Sequence, residues 1–172
     1  MSELNTLNLK LRINNILSDS IVDGFGLRLV VFTQGCKLRC SGCHNPTTHA
    51  LDEGKLVELK EIQAKWKKNP ILHGITISGG EPFLQPKEVL ELVKLAKNDG
   101  LDVVIYSGYT YEALKAKNCE VTNEILKTAD TLIDGPFIQC LKDLNLLWRG
   151  SKNQRVIDLV KTNIEGSLVE AI

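Results

Sequence analysis

The amino-acid sequence predicts an α/β fold built on a mostly parallel, open sheet. Short apolar runs rich in β-branched residues alternate with amphipathic segments, which is the pattern of βαβ units. Small or polar residues follow each apolar run, as expected where strands reach the carboxyl edge of a parallel sheet. The 172 residues are 43% hydrophobic and 24% charged, an ordinary balance for a single domain covering residues 1–172.

Five strands are predicted along the chain. The first leads directly into a loop that contains three cysteines. Gly79 and Gly80 follow the second, and Gly108 and Gly135 come shortly after the third and the fourth. The predicted strands cover residues 27–33, 75–78, 102–106, 131–133 and 155–160.

Three helices are predicted between these strands. The clearest is Pro86–Asn98, which has proline in its first turn, an apolar stripe at helical spacing and Gly100 after its end. Residues 57–67 and 111–117 are weaker helical segments. Because ligands bind at the carboxyl ends of parallel strands, we expect the cysteine loop and the turns after the strands to converge on one edge.

Composition and charge exclude several classes of function. Lys+Arg and Asp+Glu are both 21, so the formal net charge is zero and neither a nucleic-acid nor a membrane partner is expected. The N-terminal residues lack the apolar region of a secretory signal, and no apolar run approaches the ~20 residues that span a bilayer. Five cysteines, an odd number, argue against a disulfide framework. We therefore expect a cytoplasmic protein with a metal or cluster site.

The densest chemical signal is a C-x3-C-x2-C motif formed by Cys36, Cys40 and Cys43. Thiolates bind iron strongly, and three protein ligands on a cubane iron–sulfur cluster leave one iron open for chemistry. The alternative is a zinc site in which His44 or His49 supplies the fourth ligand. Zinc sites usually pair two CxxC-type motifs, and the sequence has no second pair. The spacing favours a cluster and leaves zinc open.

A glycine turn, Ser78-Gly79-Gly80-Glu81-Pro82, follows the second predicted strand. Its two glycines allow a tight turn and a close approach of the backbone to a ligand. Glu81 offers a carboxylate suited to an ammonium group. An ordinary strand-to-helix turn with a solvated glutamate explains the same residues, so the motif by itself decides nothing.

Taken together, the cysteine motif and the glycine turn resemble the radical S-adenosylmethionine (SAM) superfamily. The resemblance implies a [4Fe-4S] cluster whose fourth iron is chelated by SAM, with the glycine turn beside the SAM amino group. The implied cluster ligands are Cys36, Cys40 and Cys43, and the implied SAM neighbours in the turn are Gly79, Gly80 and Glu81.

The residues flanking the third cysteine, Gly42 and His44, are also implied to lie against SAM. Many members of the superfamily carry an aromatic residue immediately before that cysteine, where this chain has Gly42. This departure is familiar in the branch that activates glycyl-radical enzymes, and it weakens aromatic contact with the adenine.

Further stretches point to that branch. VDGFGLR at 22–28 resembles its VDGPG segment, with Phe25 in place of the usual proline, and CHNP at 43–46 resembles its continuation after the third cysteine. Three C-terminal stretches resemble the branch members that act on anaerobic ribonucleoside-triphosphate reductase: DGPF at 134–137, LKD at 141–143 and WRGSKNQR at 148–155. The resemblance runs over residues 13–160.

The resemblance implies an activase. The reduced cluster would cleave SAM to methionine and a 5′-deoxyadenosyl radical, which would take a hydrogen atom from a glycine of the reductase and leave a glycyl radical there. No catalytic residue beyond the cluster and SAM is implied. The implied electron donor is an external one-electron protein such as flavodoxin, and the implied fold is a small, incomplete (β/α) barrel whose open side admits the partner's glycine.

Two alternatives to this function are considered. One is a radical SAM enzyme with another target, either a different glycyl-radical enzyme or a small molecule. The other is a zinc-binding interaction module without catalysis.

Five single residues have weaker assignments. Asp134 ends a predicted strand at the implied SAM edge, where it would lie near the SAM carboxylate. Its residue type and position favour the other interpretation, a helix cap or a turn residue. Arg149 and Arg155 would grip a partner loop or form surface pairs. Cys119 and Cys140 are interpreted as isolated small hydrophobic residues.

Overall fold

A computed structural model describes residues 7–172 and contains one sheet of seven strands. The strands are β1 (Lys10–Ser20), β2 (Arg28–Thr33), β3 (Lys55–Glu58), β4 (Gly74–Gly79), β5 (Asp102–Tyr106), β6 (Thr131–Asp134) and β7 (Arg155–Asp158). Their order is β3-β1-β2-β4-β5-β6-β7, so the two edges are not joined. The four central strands β2, β4, β5 and β6 are parallel, whereas β1, β3 and β7 pair antiparallel with their neighbours. The predicted α/β fold with an open sheet and a parallel centre is confirmed.

Five α-helices that lie wholly within residues 8–172 connect or flank the strands. They are α1 (Leu59–Lys67), α2 (Pro86–Asn98), α3 (Tyr111–Ala116), α4 (Glu120–Thr128) and α5 (Leu159–Glu165). The helix predicted at Pro86–Asn98 is confirmed at both ends. Pro86 occupies its first turn, and its buried stripe includes Val89, Leu92 and Val93. Within residues 7–172, no helix has both the length and the apolar character needed to cross a membrane.

Side chains of the central strands alternate between two faces of the sheet. The face that we call the helical face packs against the helices in a large aliphatic core, to which β4 contributes Ile75 and Ile77. The opposite, inner face carries a much smaller apolar cluster of Val104, Ile133 and Val156. The sheet is therefore stabilised mainly from one side, and its other side is available for a site.

Arg28 is fully buried on the inner face at the start of β2. Its Nε donates to Thr76 Oγ1 at 2.7 Å, and its other nitrogens donate to backbone carbonyls of Phe25, Ile75 and Asp102. An ion pair with Asp102 at 2.7 Å completes these contacts. Because Phe25 belongs to the loop at 21–27, Arg28 fixes that loop to the sheet.

The structure corrects the late strand predicted at 155–160. The strand ends at Asp158, because the Asp158 side chain accepts a hydrogen bond from the Lys161 amide at 2.9 Å and caps helix α5. The sequence RVIDLV looks continuous because apolar residues flank this cap on both sides.

Several elements were not predicted. Strands β1 and β3 precede and follow the cysteine loop, so the strand predicted at 27–33 is the second in the chain, and helix α4 lies before β6. The predicted segment 57–67 is a helix only from Leu59, since β3 occupies Lys55–Glu58. Helix α3 matches its predicted segment except at the last residue.

Candidate cluster and cofactor site

A cavity of about 510 Å³ opens on the inner face, at the carboxyl ends of the parallel strands. Phe32, Ser78 and Tyr106, which lie near the ends of β2, β4 and β5, form part of its floor. The residues expected from the sequence to form the site line its walls, with the exception of Gly42 and Asp134; they are Cys36, Cys40, Cys43, His44, Gly79, Gly80 and Glu81. The predicted convergence on one edge of the sheet is thus realised.

Two backbone hydrogen bonds close the base of the cysteine loop. The amide of Gly35 donates to Thr48 O at 2.8 Å, and the amide of Cys36 donates to His49 O at 3.2 Å. Inside the loop, the amide of Cys43 donates to Cys40 O at 3.1 Å, which forms a tight turn between the second and third cysteines. The loop is therefore held by its own backbone, and it presents all three thiols to one cavity.

The three thiols are half-buried and lie outside any disulfide, so they are available as ligands. Burial raises the pKa of the Cys36 thiol, and hydrogen bonds from the amides of Leu38 and Arg39 oppose that rise. The amide of Asn45 donates to Cys43 Sγ at 3.4 Å. Such N–H to sulfur bonds stabilise thiolates and adjust the reduction potential of iron–sulfur clusters.

The donor set fits a cluster better than a single ion. A single zinc ion needs all its ligands within about 2.0–2.3 Å of one point. Among residues 7–172, no group of three or more His, Cys, Asp or Glu side chains is already placed to hold a metal ion. A cluster carries its irons on separate corners, so its ligands need not converge on one point. Three thiols on one loop are the protein ligands that a cubane cluster with one open iron takes.

The glycine turn is bonded directly to the cysteine loop. The amide of Gly80 donates to Thr33 O, and the amide of Glu81 donates to Gly35 O, both at 2.8 Å. Gly79 has φ 95°, and a Cβ there would lie 2.6 Å from Thr33 N, while a Cβ on Gly80 would lie 2.3 Å from Gly35 O. No side chain fits at either position, so both glycines are required for the two motifs to meet.

Glu81 is buried, which differs from the solvated glutamate of the ordinary-turn interpretation. Its carboxylate accepts hydrogen bonds from the amides of Phe83 and Gly108 and from the hydroxyl of Ser107. Burial raises its pKa to about 7, although these hydrogen bonds act in the opposite direction. Glu81 therefore joins the glycine turn to the loop after β5 while it lines the cavity.

An aromatic side chain stands beside Gly42, the position where many superfamily members have an aromatic residue of their own. A Cβ on Gly42 would lie 2.9 Å from Gln139 Oε1 and 3.3 Å from Phe137 Cε1. The ring of Phe137 also lies 4.7 Å from the ring of His44, centroid to centroid, at an angle of 49°. Gly42 is needed to make room for the segment that brings Phe137 into the cavity wall.

Asp134 is fully buried but does not line the cavity. Its carboxylate pairs with the guanidinium of Arg155 and accepts a hydrogen bond from the amide of Tyr111 at 2.6 Å. The Arg155 side chain also pairs with Glu112 at 2.8 Å. Asp134 thus binds the first amide of helix α3, whose N-cap is Thr110, and anchors β7; it lies outside the cavity lining, away from the position beside SAM that the sequence suggested.

The two C-terminal stretches, 134–137 and 148–155, hold each other in place. Gln154 Oε1 accepts from the amides of Gly150 and Ser151, and Gln154 Nε2 donates to Gly135 O at 3.1 Å. Asn153 Nδ2 donates to Pro136 O at 2.7 Å. These contacts hold the two stretches together, and each stretch contributes some of its residues to the cavity lining.

Sequence reasoning missed the roles of three residues in this region. Arg28 and Gln154 each form hydrogen bonds to several separate segments of the chain. His49 lies in the cavity wall, and its buried Nε2 atom has no hydrogen-bond partner among the described residues. A signal existed for Arg28 alone, because a single arginine in the otherwise apolar run LRLVVF must find partners when the strand is buried. Cys119 and Cys140 do not line the cavity.

Comparison with known proteins identifies relatives over most of the chain. The model of the 4Fe-4S single cluster domain family matches residues 22–157. The anaerobic ribonucleoside-triphosphate reductase-activating protein of Escherichia coli (strain K12) is 35% identical over 151 residues, which cover 79% of this chain and 91% of that protein. The protein of the same name from Salmonella typhi is 38% identical over 145 residues, with coverage of 79% and 91%.

Two further comparisons cover a smaller share of the matched protein. The pyruvate formate-lyase-activating enzyme of Clostridium pasteurianum is 41% identical over 128 residues, covering 71% of this chain but only 50% of that enzyme. The crystal structure of QueE from Escherichia coli superposes with a TM-score of 0.52 at 17% identity, over 63% of this chain and 58% of that one. The cysteine loop, the glycine turn and the paired C-terminal stretches all lie within the matched family region. The chain belongs to the family of anaerobic ribonucleoside-triphosphate reductase-activating proteins and contains its 4Fe-4S single cluster domain.

Proposed function

We propose that this protein binds a [4Fe-4S] cluster and SAM in the inner-face cavity and generates a glycyl radical on anaerobic ribonucleoside-triphosphate reductase. The observation that carries the proposal is the direct bonding of the glycine turn to the base of the cysteine loop, through Gly80 and Glu81. Three thiols and the backbone of the glycine turn thereby line one cavity of about 510 Å³. A structural zinc site needs no such cavity beside it.

The residues proposed to hold the cofactors follow from this arrangement. Cys36, Cys40 and Cys43 would ligate the cluster, and the turn at Gly79–Gly80 would receive the SAM amino group on its backbone. His44 and the loop around Gly42 would border the adenosine together with Phe137. The bound cluster would give one electron to SAM; breaking the sulfonium C–S bond would yield methionine and a 5′-deoxyadenosyl radical, which would take a hydrogen atom from the partner's glycine and become 5′-deoxyadenosine.

The chain's own residues orient the reactants and exclude water. Phe32, Leu38, Phe137 and Trp148 give the cavity an apolar lining around the thiols. A dry, shaped wall protects a reactive radical from solvent and from the wrong hydrogen atoms. No general acid or base is required for this chemistry.

The reductase is proposed as the partner because the relatives with high coverage carry its name. The unjoined sheet edges leave one flank of the fold open, and a glycine on a folded partner must approach from such a flank. An external one-electron donor such as flavodoxin would reduce the cluster. Because this chemistry needs a reducing compartment, we propose that it takes place in the cytoplasm.

Anaerobic reconstitution tests the proposal. The reconstituted protein should contain about four irons and four sulfides, turn brown, and release 5′-deoxyadenosine from SAM under a strong reductant. With the reductase present, a glycyl-radical EPR signal should appear on the partner. Cys43→Ser should abolish both products, whereas Cys119→Ser, the matched change outside the cavity, should leave them unchanged. A colourless zinc protein, or SAM cleavage without a radical on the reductase, would contradict the proposal.

A second candidate function is the activation of another glycyl-radical enzyme. The 41% identity to a pyruvate formate-lyase-activating enzyme supports this second candidate. The chain spans only half the length of that enzyme, however, whereas it spans 91% of the reductase-activating proteins. Replacing the reductase by pyruvate formate-lyase in the EPR experiment separates the two, since only the true partner should gain the radical at a catalytic rate.

A further inference from the structure

Arg149 is the one lysine or arginine among the described residues that line the cavity. The carboxylates on the same lining are those of Asp23 and Glu81. Glu81 is engaged by backbone amides, and Asp23 accepts from the hydroxyl of Ser20. The cavity therefore has a single fixed guanidinium on its wall, and any anionic group of a bound ligand is drawn towards it.

Within residues 7–172, the guanidinium of Arg149 has no carboxylate partner. Among the described residues, its guanidinium donates one hydrogen bond, from Nη1 to Gln154 O at 3.3 Å. Its Nε atom is buried and has no hydrogen-bond partner in that part of the chain. Arg155, six positions along the same stretch, pairs with both Asp134 and Glu112. A buried N–H donor of a charged group without an acceptor is destabilising, so Arg149 is arranged for an acceptor that the chain itself does not provide.

The backbone on both sides of Arg149 is fixed. The hydroxyl of Tyr106 donates to Trp148 O at 2.9 Å, where Trp148 adopts φ 60°, and the amide of Gly150 donates to Gln154 Oε1 at 2.9 Å. Gly150 packs so closely on the site that a Cβ there would lie 3.0 Å from His44 Cε1. His44 follows the third cysteine directly, which places the Arg149 segment beside the cluster loop.

We propose that Arg149 binds the carboxylate of SAM. The assignment rests on the proposed function, because it takes SAM as the ligand of this cavity. SAM carries an ammonium group, a sulfonium group and one carboxylate, so the carboxylate is the only part of the molecule that a guanidinium attracts. The planar fork of an arginine matches a carboxylate in two-point geometry, which fixes the methionine end of the ligand as well as binding it. Arg149 is then a binding and positioning residue for SAM.

The test measures binding of two ligands to the anaerobically reconstituted protein by equilibrium dialysis. One ligand is SAM, and the other is decarboxylated SAM, which keeps the ammonium, the sulfonium and the adenosine. Arg149→Met should weaken SAM binding by roughly 10- to 100-fold, as for the loss of a charged hydrogen-bonded pair. The same substitution should leave the affinity for decarboxylated SAM unchanged within about twofold. The affinity of each ligand is compared between the variant and the wild type. The difference between the two ligands in their affinity for the cluster therefore does not affect the result.

Two further variants control the experiment. Arg149→Lys keeps the positive charge but not the planar fork of the guanidinium, so its affinity for SAM, and not for decarboxylated SAM, should fall roughly 3- to 10-fold. This variant keeps the test valid if Arg149→Met fails to fold. Lys152→Met removes a cation from the same stretch, where it is exposed and paired with Asp143, and should change neither affinity. Iron and sulfide contents equal to the wild type show that the cluster loop is intact in each variant.

The outcomes are distinguishable. Equal weakening for both ligands would make Arg149 a merely structural residue and overturn the assignment. An unchanged SAM affinity with a raised KM for the reductase would assign Arg149 to a carboxylate of the partner and would also overturn it. Failure of the wild type to bind SAM would instead overturn the proposed function, and this assignment with it.

Discussion

The two faces of the central sheet differ in what they pack and in what they leave free. On the helical face, aliphatic side chains such as Ile77 and Leu92 are fully buried in one large core. The inner face of the same strands carries Arg28, Tyr106 and only a small apolar cluster around Ile133. Neighbouring residues of one strand therefore serve different purposes: alternate positions supply the burial that drives folding, and the positions between them build the cavity.

This division has a measurable consequence. Substitutions on the helical face should change stability without changing the affinity of the folded protein for SAM, whereas substitutions on the inner face should change both. The following predictions test the division, from the largest expected effect to the smallest.

Arg28→Met should have the largest effect. It removes the donors for the buried carbonyl of Ile75, for two partly buried carbonyls and for the Asp102 carboxylate, and it should lower the free energy of unfolding by roughly 3–5 kcal/mol. Because the Asp102 side chain keeps 32% of its surface exposed, most of this cost comes from the carbonyls. The loop at 21–27 should also loosen, and SAM should bind several-fold more weakly. Urea unfolding of the cluster-free protein and dialysis of the reconstituted protein measure the two effects.

Arg12→Met is the matched control for that experiment. Arg12 also donates to two backbone carbonyls, those of Asp52 and Glu53, but at an exposed position. Water replaces those bonds, so the loss should be about 1 kcal/mol or less. Equal losses for the two arginines would refute the view that Arg28 owes its importance to burial.

Leu92→Ala tests the helical face. The side chain is fully buried under the sheet, and its truncation should lower the free energy of unfolding by about 3 kcal/mol through lost burial and a residual cavity. The fraction that remains folded should bind SAM as the wild type does. Leu92→Met, a change of shape at similar volume, should lose less than about 1.5 kcal/mol. A weakened SAM affinity in the folded alanine variant would show that the two faces are coupled.

Glu81→Gln tests the buried carboxyl of the inner face through pH. Burial raises the pKa of Glu81 from 4.5 to about 7, so the folded state holds this proton more tightly than the unfolded chain. The resulting stabilisation is complete below about pH 4.5 and is lost as the pH rises through about 7. The stability of the variant relative to the wild type should therefore improve by about 1–3 kcal/mol between about pH 4.5 and about pH 8.

The measurement is urea unfolding of the cluster-free protein across that pH range. Glu120→Gln, which changes an exposed glutamate at the start of α4, is the control and should show no such trend. Parallel pH curves for the wild type and Glu81→Gln would contradict the raised pKa.

Glu112→Gln should have the smallest effect. Its pairing with Arg155 lowers the pKa of Glu112 to about 2, and the stabilisation is present above the ordinary pKa and lost as the pH falls through about 2. Because 61% of its side chain is exposed, the loss at neutral pH should be about 0–1 kcal/mol. Urea unfolding checks this, and a loss comparable to that of Arg28→Met would show that the sheet edge matters as much as the inner face.

The parts of the fold that could be predicted are those with strong local signals. Helix α2 has proline at its start and a long apolar stripe, and β5 is an unbroken β-branched run between clear turns. Strand β1 was missed because its centre reads Asn-Asn and its end Ser-Asp-Ser, residues that disfavour strands when they stand alone. Pairing with β2 and β3 overrides that preference. Strand direction at the edges, as in the antiparallel β7, leaves no trace in hydrophobic periodicity.

In the candidate site too, some features could be predicted from the sequence and others could not. The cysteine motif and the glycine turn could be found because their chemistry depends on residue types at fixed spacing. The states of Glu81 and Arg149 could not, because burial and pairing arise only when distant segments meet. Asp134 and Arg149 illustrate this. The sequence offered Asp134 as a SAM neighbour or a cap and Arg149 as a partner contact or a surface pair, yet within residues 7–172 Asp134 pairs with Arg155 and Arg149 has no carboxylate partner.

The mutual bonding of residues 134–137 and 148–155 limits how this protein can be re-engineered. Each stretch supplies the hydrogen-bond partners of the other, through Gln154 to Gly135 and through Asn153 to Pro136. A chimaera that takes only one stretch from a relative with a different sequence would leave those groups unmatched. The two stretches depend on each other for their hydrogen bonds, so an exchange between relatives that keeps the cavity wall folded should replace both at once.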